Sequence, residues 1–191
     1  MATPSKPHLW KSVSSARIAD CKVFDVVKHR FQHPADGREG DFFLIDCADW
    51  VLVLPMTSAG KLVLVNQYRF GVDKLSWEPP GGVVDPGEEH DIVAAGLREM
   101  REETGYRERV ARYLGWVHPN PAIISNRAHF VLAEDCASVG EQQLDANEEI
   151  QVAEYTLDDA FAMAARGDIH HCVAHAALFA LCRALGKGPG R

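Results

Sequence analysis

The sequence predicts a mixed α/β layer architecture, and three observations carry that expectation. Short segments rich in β-branched and aromatic residues recur between 21 and 69 and again between 112 and 155. An amphipathic helix from about Asp91 to Gly105 separates the two sets, and two further helical segments end the chain. Strands on both sides of helical segments call for helices packed on a sheet.

The N-terminal part reads as a β-hairpin. Cys21–Phe31 and Asp41–Asp46 have strand composition and flank the turn cluster Pro34-Ala35-Asp36-Gly37. Trp50–Pro55 is continuously apolar, as expected of a strand covered on both faces, and Ser58-Ala59-Gly60 turns it into Lys61–Arg69. These two central strands end in a polar tip carrying Arg69. Beyond the helix, Arg112–His118 and Ala128–Ala133 read as strands separated by the Pro119-Asn120-Pro121 interruption. Ile150–Tyr155 alternates like an edge strand, Thr156-Leu157-Asp158-Asp159 opens a helix that Gly167 closes, and a last helix runs from about His171 to Leu185.

The domain expectation is an N-terminal strand and hairpin element over 1–46, a main domain over 47–186 and a frayed tail over 187–191. A length of 191 residues suits one catalytic domain, and 47% apolar with 25% charged residues is ordinary globular composition. A net charge of −7 argues against a generic nucleic-acid surface, so an anionic substrate needs a local cation, from metal or arginine. No stretch is apolar enough to span a membrane and no leader-like start is present, so membrane partners are not expected. Five scattered cysteines lack C-x-x-C spacing, and with them the expected compartment is the reducing cytoplasm.

The chemistry concentrates in Trp77–Tyr106. With Asp91 as N-cap, Val93, Leu97, Met100 and Thr104 form one helix stripe, expected on the sheet. Ile92, Gly96, Glu99 and Glu103 form another, with Ala95 and Glu102 beside it. Three carboxylates then converge above small residues that leave room for a loop. That loop is Pro80-Gly81-Gly82, whose uncovered carbonyls can complete an oxygen set for Mg2+ or Mn2+ bridging a diphosphate. The competing reading is a solvated Glu- and Arg-rich helix face, with Arg98 and Glu102 as an i,i+4 pair.

Arg98-Glu99-Met100-Arg101-Glu102-Glu103-Thr104-Gly105-Tyr106 resembles the second half of the Nudix box, and Gly82 with Glu88 matches its first half. Nine residues rather than seven lie between Glu88 and Arg98, so His90 stands at the helix register of the box's first glutamate. Glu88 or Glu89 must then deliver that carboxylate from a displaced backbone. Outside the box, Gln67-Tyr68-Arg69 and Trp77-Glu78-Pro79-Pro80-Gly81-Gly82 are similar to the ADP-ribose and nucleotide-sugar pyrophosphatase branch. So are Pro121, sixteen residues after Gly105, and Asp145–Ile150, the counterpart of an acidic loop.

The resemblance implies a Nudix-type α/β/α sandwich with a mixed β-sheet, the N-terminal β-hairpin as an extension, and a homodimer through that extension. It implies Mg2+-dependent hydrolysis of a nucleoside diphosphate linked to a sugar. Glu99, Glu102, Glu103 and the Gly81 carbonyl would hold the metal, Arg98 would orient a glutamate, and Glu149 would be the general base. Arg69, Trp77, Glu78 and Pro121 would contact substrate. Dinucleoside polyphosphates, capped RNA, or nucleotide binding without cleavage are the alternatives. His170, His171 and His175 beside Cys172 have a zinc-compatible spacing, but without a completing ligand they read as structural.

Overall fold

Residues 6–187 are described by the computed structural model, and they fall into two units. The tail expected at 187–191 lies, from 188 onward, outside the described residues. One unit takes in the chain up to Ala48 together with Asn120–Asn126, and the other runs over Asp49–Pro119 and from Arg127 onward.

The N-terminal unit is a three-stranded antiparallel sheet, β1 (Lys11–Asp20), β2 (Asp25–Gln32) and β3 (Glu39–Asp46), in that order. The β2–β3 hairpin is the one the sequence predicts; β1 is an added strand. Its residues Lys11–Ile18 are all exposed, so no buried apolar period marks it, and backbone pairing to β2 holds it instead. Ion pairs of Arg30 with Glu39 and Asp41 brace the hairpin. The segment 120–126 joins this unit through Ile45 N–H to Ile123 O at 2.7 Å and Ser125 Oγ to Asp46 Oδ1 at 2.7 Å. Pro121 therefore belongs to the N-terminal unit.

The second unit is built on an eight-stranded mixed sheet. Its central path is β11 (Gln151–Tyr155), β5 (Leu62–Arg69), β4 (Trp50–Thr57), β10 (Ala128–Ser138) and β8 (Tyr106–Arg107). Three strands lie off this path: β6 (Lys74–Glu78) on β5, β7 (Gly81–Val83) on β4, and β9 (Val110–Val117) on β10. The β4–β10 pair is parallel, while the other named pairs in this sheet are antiparallel. Because both faces of β4 are covered, Val51–Met56 is buried throughout, as its unbroken apolar run predicts.

Alternate residues of the central strands feed two cores. Leu52, Leu54, Leu62 and Leu64 pack with Met163 of α2 (Leu157–Arg166) and Leu178 and Leu181 of α3 (Cys172–Ala184). Val51, Val53 and Val131 pack with Ala95, Leu97 and Met100 of α1 (Ile92–Thr104). This is the expected sandwich of helices on both sheet faces. Asp91 caps α1 by accepting from Ala94 N–H at 3.0 Å, and Thr156 caps α2 through Asp159 N–H at 3.1 Å. At the start of β10, His129 is held between the Tyr113 hydroxyl at 2.7 Å and Asp49 Oδ2 at 3.0 Å.

The small residues of α1 do a different job from the expected one. A Cβ on Gly96 would lie 2.8 Å from Val51 Cγ2 and 3.0 Å from Val53 Cγ2, so Gly96 lets the helix close onto the sheet rather than making room for a loop. Both valines are fully buried and stiff at χ1, and cannot move aside cheaply. Gly96→Ala gains about 1 kcal/mol in helix propensity but overpacks the core at about 1–3 kcal/mol. Urea unfolding should show a net loss of stability, whereas Gly71→Ala, with nothing within 4 Å, should stay within about 0.5 kcal/mol of the parent.

Candidate active site

The two glycines of the Pro79-Pro80-Gly81-Gly82 turn are required by close approach on opposite sides. A Cβ on Gly81 would sit 2.1 Å from the Val51 carbonyl oxygen of β4, and one on Gly82 would sit 2.5 Å from the Glu99 carboxyl carbon. The chain threads between the central strand and the acidic end of α1, where any side chain would displace one or the other. The Pro80 carbonyl accepts from Val53 N–H at 2.8 Å, which fixes the turn to β4.

Beneath this turn lies Glu103, only 4% exposed, whose Oε2 accepts from Gly81 N–H at 2.9 Å. Burial pushes its carboxyl up to about 8, the negative charges of Glu99 and Glu148 add to the shift, and the Gly81 amide and Arg69 oppose it. Glu99 is also raised, first by burial and then by Glu102 and Asp85, against the pull of Arg98. Two acidic side chains one turn apart are thus held where negative charge is costly.

Arg98 gathers the rest of the acidic groups. It meets Glu88 in a bidentate contact, Nε to Oε1 at 3.1 Å and Nη2 to Oε2 at 2.9 Å. The same guanidinium reaches Asp85 at 3.1 Å, Glu99 at 3.0 Å and Glu102 at 3.0 Å. Its pKa rises further above its already high value, chiefly through the Glu88 hydrogen bond, and Glu88 is correspondingly held below the usual carboxylate range. Of the two acids offered by the enlarged loop, Glu88 reaches Arg98, while Glu89 accepts from Gly87 N–H at 2.8 Å.

The remaining sequence candidates divide. Arg69 Nε donates to Glu78 Oε1 at 2.7 Å, and Glu78 Oε2 accepts from His171 Nδ1 at 3.0 Å. Glu78 is 1% exposed, and burial alone would raise its pKa, but His171 and Arg69 together hold it below its ordinary value. Arg69, Glu78, Gly81 and Gly82 line one cavity of about 150 Å³ with Trp50 and His171. Trp77 alternates to the other face of β6, where its ring meets Tyr155 edge-on at 5.2 Å. In the acidic loop, Glu148 accepts from Asp145 N–H at 3.0 Å and Glu149 is exposed. Gln142 ties this loop to the helix by donating to the Glu103 carbonyl at 2.6 Å and the Ile150 carbonyl at 3.1 Å.

Trp50, Asp85, Gln142 and His171 were not singled out as site residues from the sequence. Their roles arise from tertiary packing: Trp50 reads as a core strand residue and His171 as part of a His-rich helix start. The three histidines do not converge, since His170 faces the Leu75 carbonyl, His171 faces Glu78 and His175 faces the Ile169 carbonyl.

Among the described residues no group of three or more His, Cys, Asp or Glu stands as a ready-made metal cage. The donor set nevertheless fits a hard divalent cation, which is commonly held by one or two carboxylates with water and substrate oxygens filling the remainder. Glu99 and Glu103 are the pair on offer, crowded and raised in pKa so that a cation would relieve them. Glu102 is turned toward Arg98, and the Gly81 contact seen is its N–H to Glu103.

A family model described as NUDIX domain matches residues 48–174. An ADP-ribose pyrophosphatase of Bacillus subtilis is 29% identical over 161 residues, covering 84% of this chain and 85% of that protein. A methanol dehydrogenase activator of Bacillus methanolicus is 32% identical over 151 residues, covering 78% and 77%. A crystal structure of an ADP compounds hydrolase superposes with a TM-score of 0.80 at 18% identity, covering 96% of this chain and all of the other, a likeness of fold.

The Arg98 cluster makes a direct prediction about the enlarged loop. Glu88→Gln should weaken divalent-cation binding roughly 10- to 100-fold, as loss of a supporting carboxylate does, while Glu89→Gln should leave it within about twofold. Calorimetric titration of each variant with Mg2+ checks this, and equal losses would show that both acids support the site.

Proposed function

Because the chain belongs to the NUDIX domain family, we propose that it is a hydrolase of the diphosphate linkage in a nucleoside diphosphate joined to a sugar, with ADP-ribose as the leading substrate. The products are a nucleoside monophosphate and a sugar phosphate, and the reaction depends on Mg2+, with Mn2+ able to replace it. The observation that carries the reading is the buried Glu103 with the half-buried Glu99 beneath the Gly81-Gly82 turn, beside a cavity lined by Arg69. Relatives named for ADP-ribose hydrolysis support the choice of substrate.

In this reading water attacks one phosphorus and the bridging P–O bond breaks. Glu99 and Glu103, joined by Glu102 and the Gly81 carbonyl, would hold the metal, which would supply charge neutralisation at the diphosphate and make the attacking water more acidic. Arg98 fixes Glu99 and Glu102 through its ion pairs. Arg69 keeps its Nη groups for a phosphate oxygen, since its Nε is committed to Glu78. Glu149 takes the proton from water. Glu149 is exposed, as are Asp145 and Glu148, and Glu148 also accepts from Asp145 N–H.

We further propose a homodimer through the N-terminal sheet, where Trp10, Phe31 and Phe42 cluster edge-to-face and Trp10 and Phe42 are exposed. The proposed setting is the cytoplasm. No described helix is long and apolar enough to cross a membrane.

Glu103→Gln should lower Mg2+-dependent release of AMP from ADP-ribose roughly 100-fold or more, and Glu149→Gln roughly 100- to 10,000-fold. The fold should survive the first change, because glutamine keeps an acceptor for Gly81 N–H and removes a buried acid. Near-parental turnover by Glu103→Gln would contradict the assignment.

A further inference from the structure

We infer that Trp50 and His171 form the subsite for the sugar ring attached to the distal phosphate, and so set specificity for a hydroxylated ring over any smaller group there. This rests on the function proposed above and adds to it two residues that neither the acidic helix nor the box pattern contains.

Size comes first. The cavity that holds both residues measures about 150 Å³, comparable to cavities of about 150 Å³ that take up a single benzene ring. It therefore has room for one ring.

The polar atoms then define what kind of ring. Both oxygens of Glu78 are occupied, Oε1 by Arg69 Nε at 2.7 Å and Oε2 by His171 Nδ1 at 3.0 Å. The carboxylate at Nδ1 accepts a hydrogen bond from the ring there, which leaves Nε2 as the other hydrogen-bonding atom of His171. A ligand hydroxyl, which can both donate and accept, pairs with it in either protonation state. Trp50 stands half-buried at the first position of β4, its ring centroid 6.5 Å from that of His171. Its indole offers a flat apolar surface for the C–H face of a sugar. Leu52, Pro79 and Val83 complete the apolar lining.

The cavity also has a direction. Arg69, Gly81 and Gly82 lie on its wall, with Gly81 bonded to Glu103 and Gly82 against Glu99. A diphosphate held by Arg69 and the acidic pair therefore places its next substituent against Trp50 and His171.

The test is a substrate-by-variant comparison of kcat/KM on the full chain with Mg2+. The substrates are ADP-ribose, its analogues lacking single hydroxyls on the distal ribose, and the methyl ester of ADP, which has no ring on its distal phosphate. The parent should prefer ADP-ribose over the methyl ester and over at least one deoxy analogue by roughly tenfold, the worth of about one hydrogen bond or one packed ring face. His171→Phe should shrink the deoxy discrimination to within about twofold, and Trp50→Ala should remove most of the preference over the methyl ester. Any general damage to Arg69 or Glu78 cancels in these ratios. If both variants slow every substrate by the same factor, or if the parent shows no preference, the subsite is wrong while the hydrolase reading stands. If the parent cleaves none of these compounds, both fall. Either variant alone decides its own residue should the other fail to fold.

Discussion

The Glu103 carboxyl lies under the Gly81-Gly82 turn with one hydrogen bond from Gly81 N–H and the charge of Glu99 nearby. Placing acid there runs against the ordinary preference for solvated carboxylates, and its raised pKa records the cost. The linkage has a definite sign. A carboxyl whose pKa is higher in the folded than in the unfolded state favours folding while it holds its proton. That contribution declines as pH rises from the unfolded carboxylate range toward about 8. A site that is electrostatically strained when empty and relieved by a cation binds that cation at the expense of protons.

Around this pair the backbone elements approach one another closely. Gly96 brings α1 onto Val51 and Val53 while Gly81 brings the turn onto the backbone of Val51, so helix, strand and turn share one contact point. Arg98 restrains four neighbouring carboxylates at once. The enlarged loop is ordered by its own bonds, with Glu88 N–H to the Asp85 carbonyl at 3.0 Å and Asp91 N–H to the Glu88 carbonyl at 2.9 Å. The loop ends at the Asp91 cap, and Glu88 is presented to Arg98 from outside the helix.

Much of this was legible in the sequence wherever a local rule fixes geometry. The Asp91 and Thr156 caps, the Gly105 and Gly167 ends, and the unbroken apolar run of β4 were all readable because each depends on neighbours within a few residues. Strands β7 and β8 were not, since two or three residues cannot display a period, and neither was the five-residue β6. Strand β1 was missed because pairing rather than burial holds it. The cavity was equally hidden: Glu78 and His171 are 93 positions apart, and nothing local says that a histidine at the start of α3 will complete a buried charge on β6.

The most direct test is the titration of Glu103 itself, by 13C NMR of selectively labelled glutamate with Glu103→Gln supplying the assignment. Without divalent cation the carboxyl should titrate near 8, and saturating Mg2+ should move that titration into the acidic range. A carboxyl that titrates in the ordinary glutamate range without metal, and does not respond to Mg2+, would contradict the account.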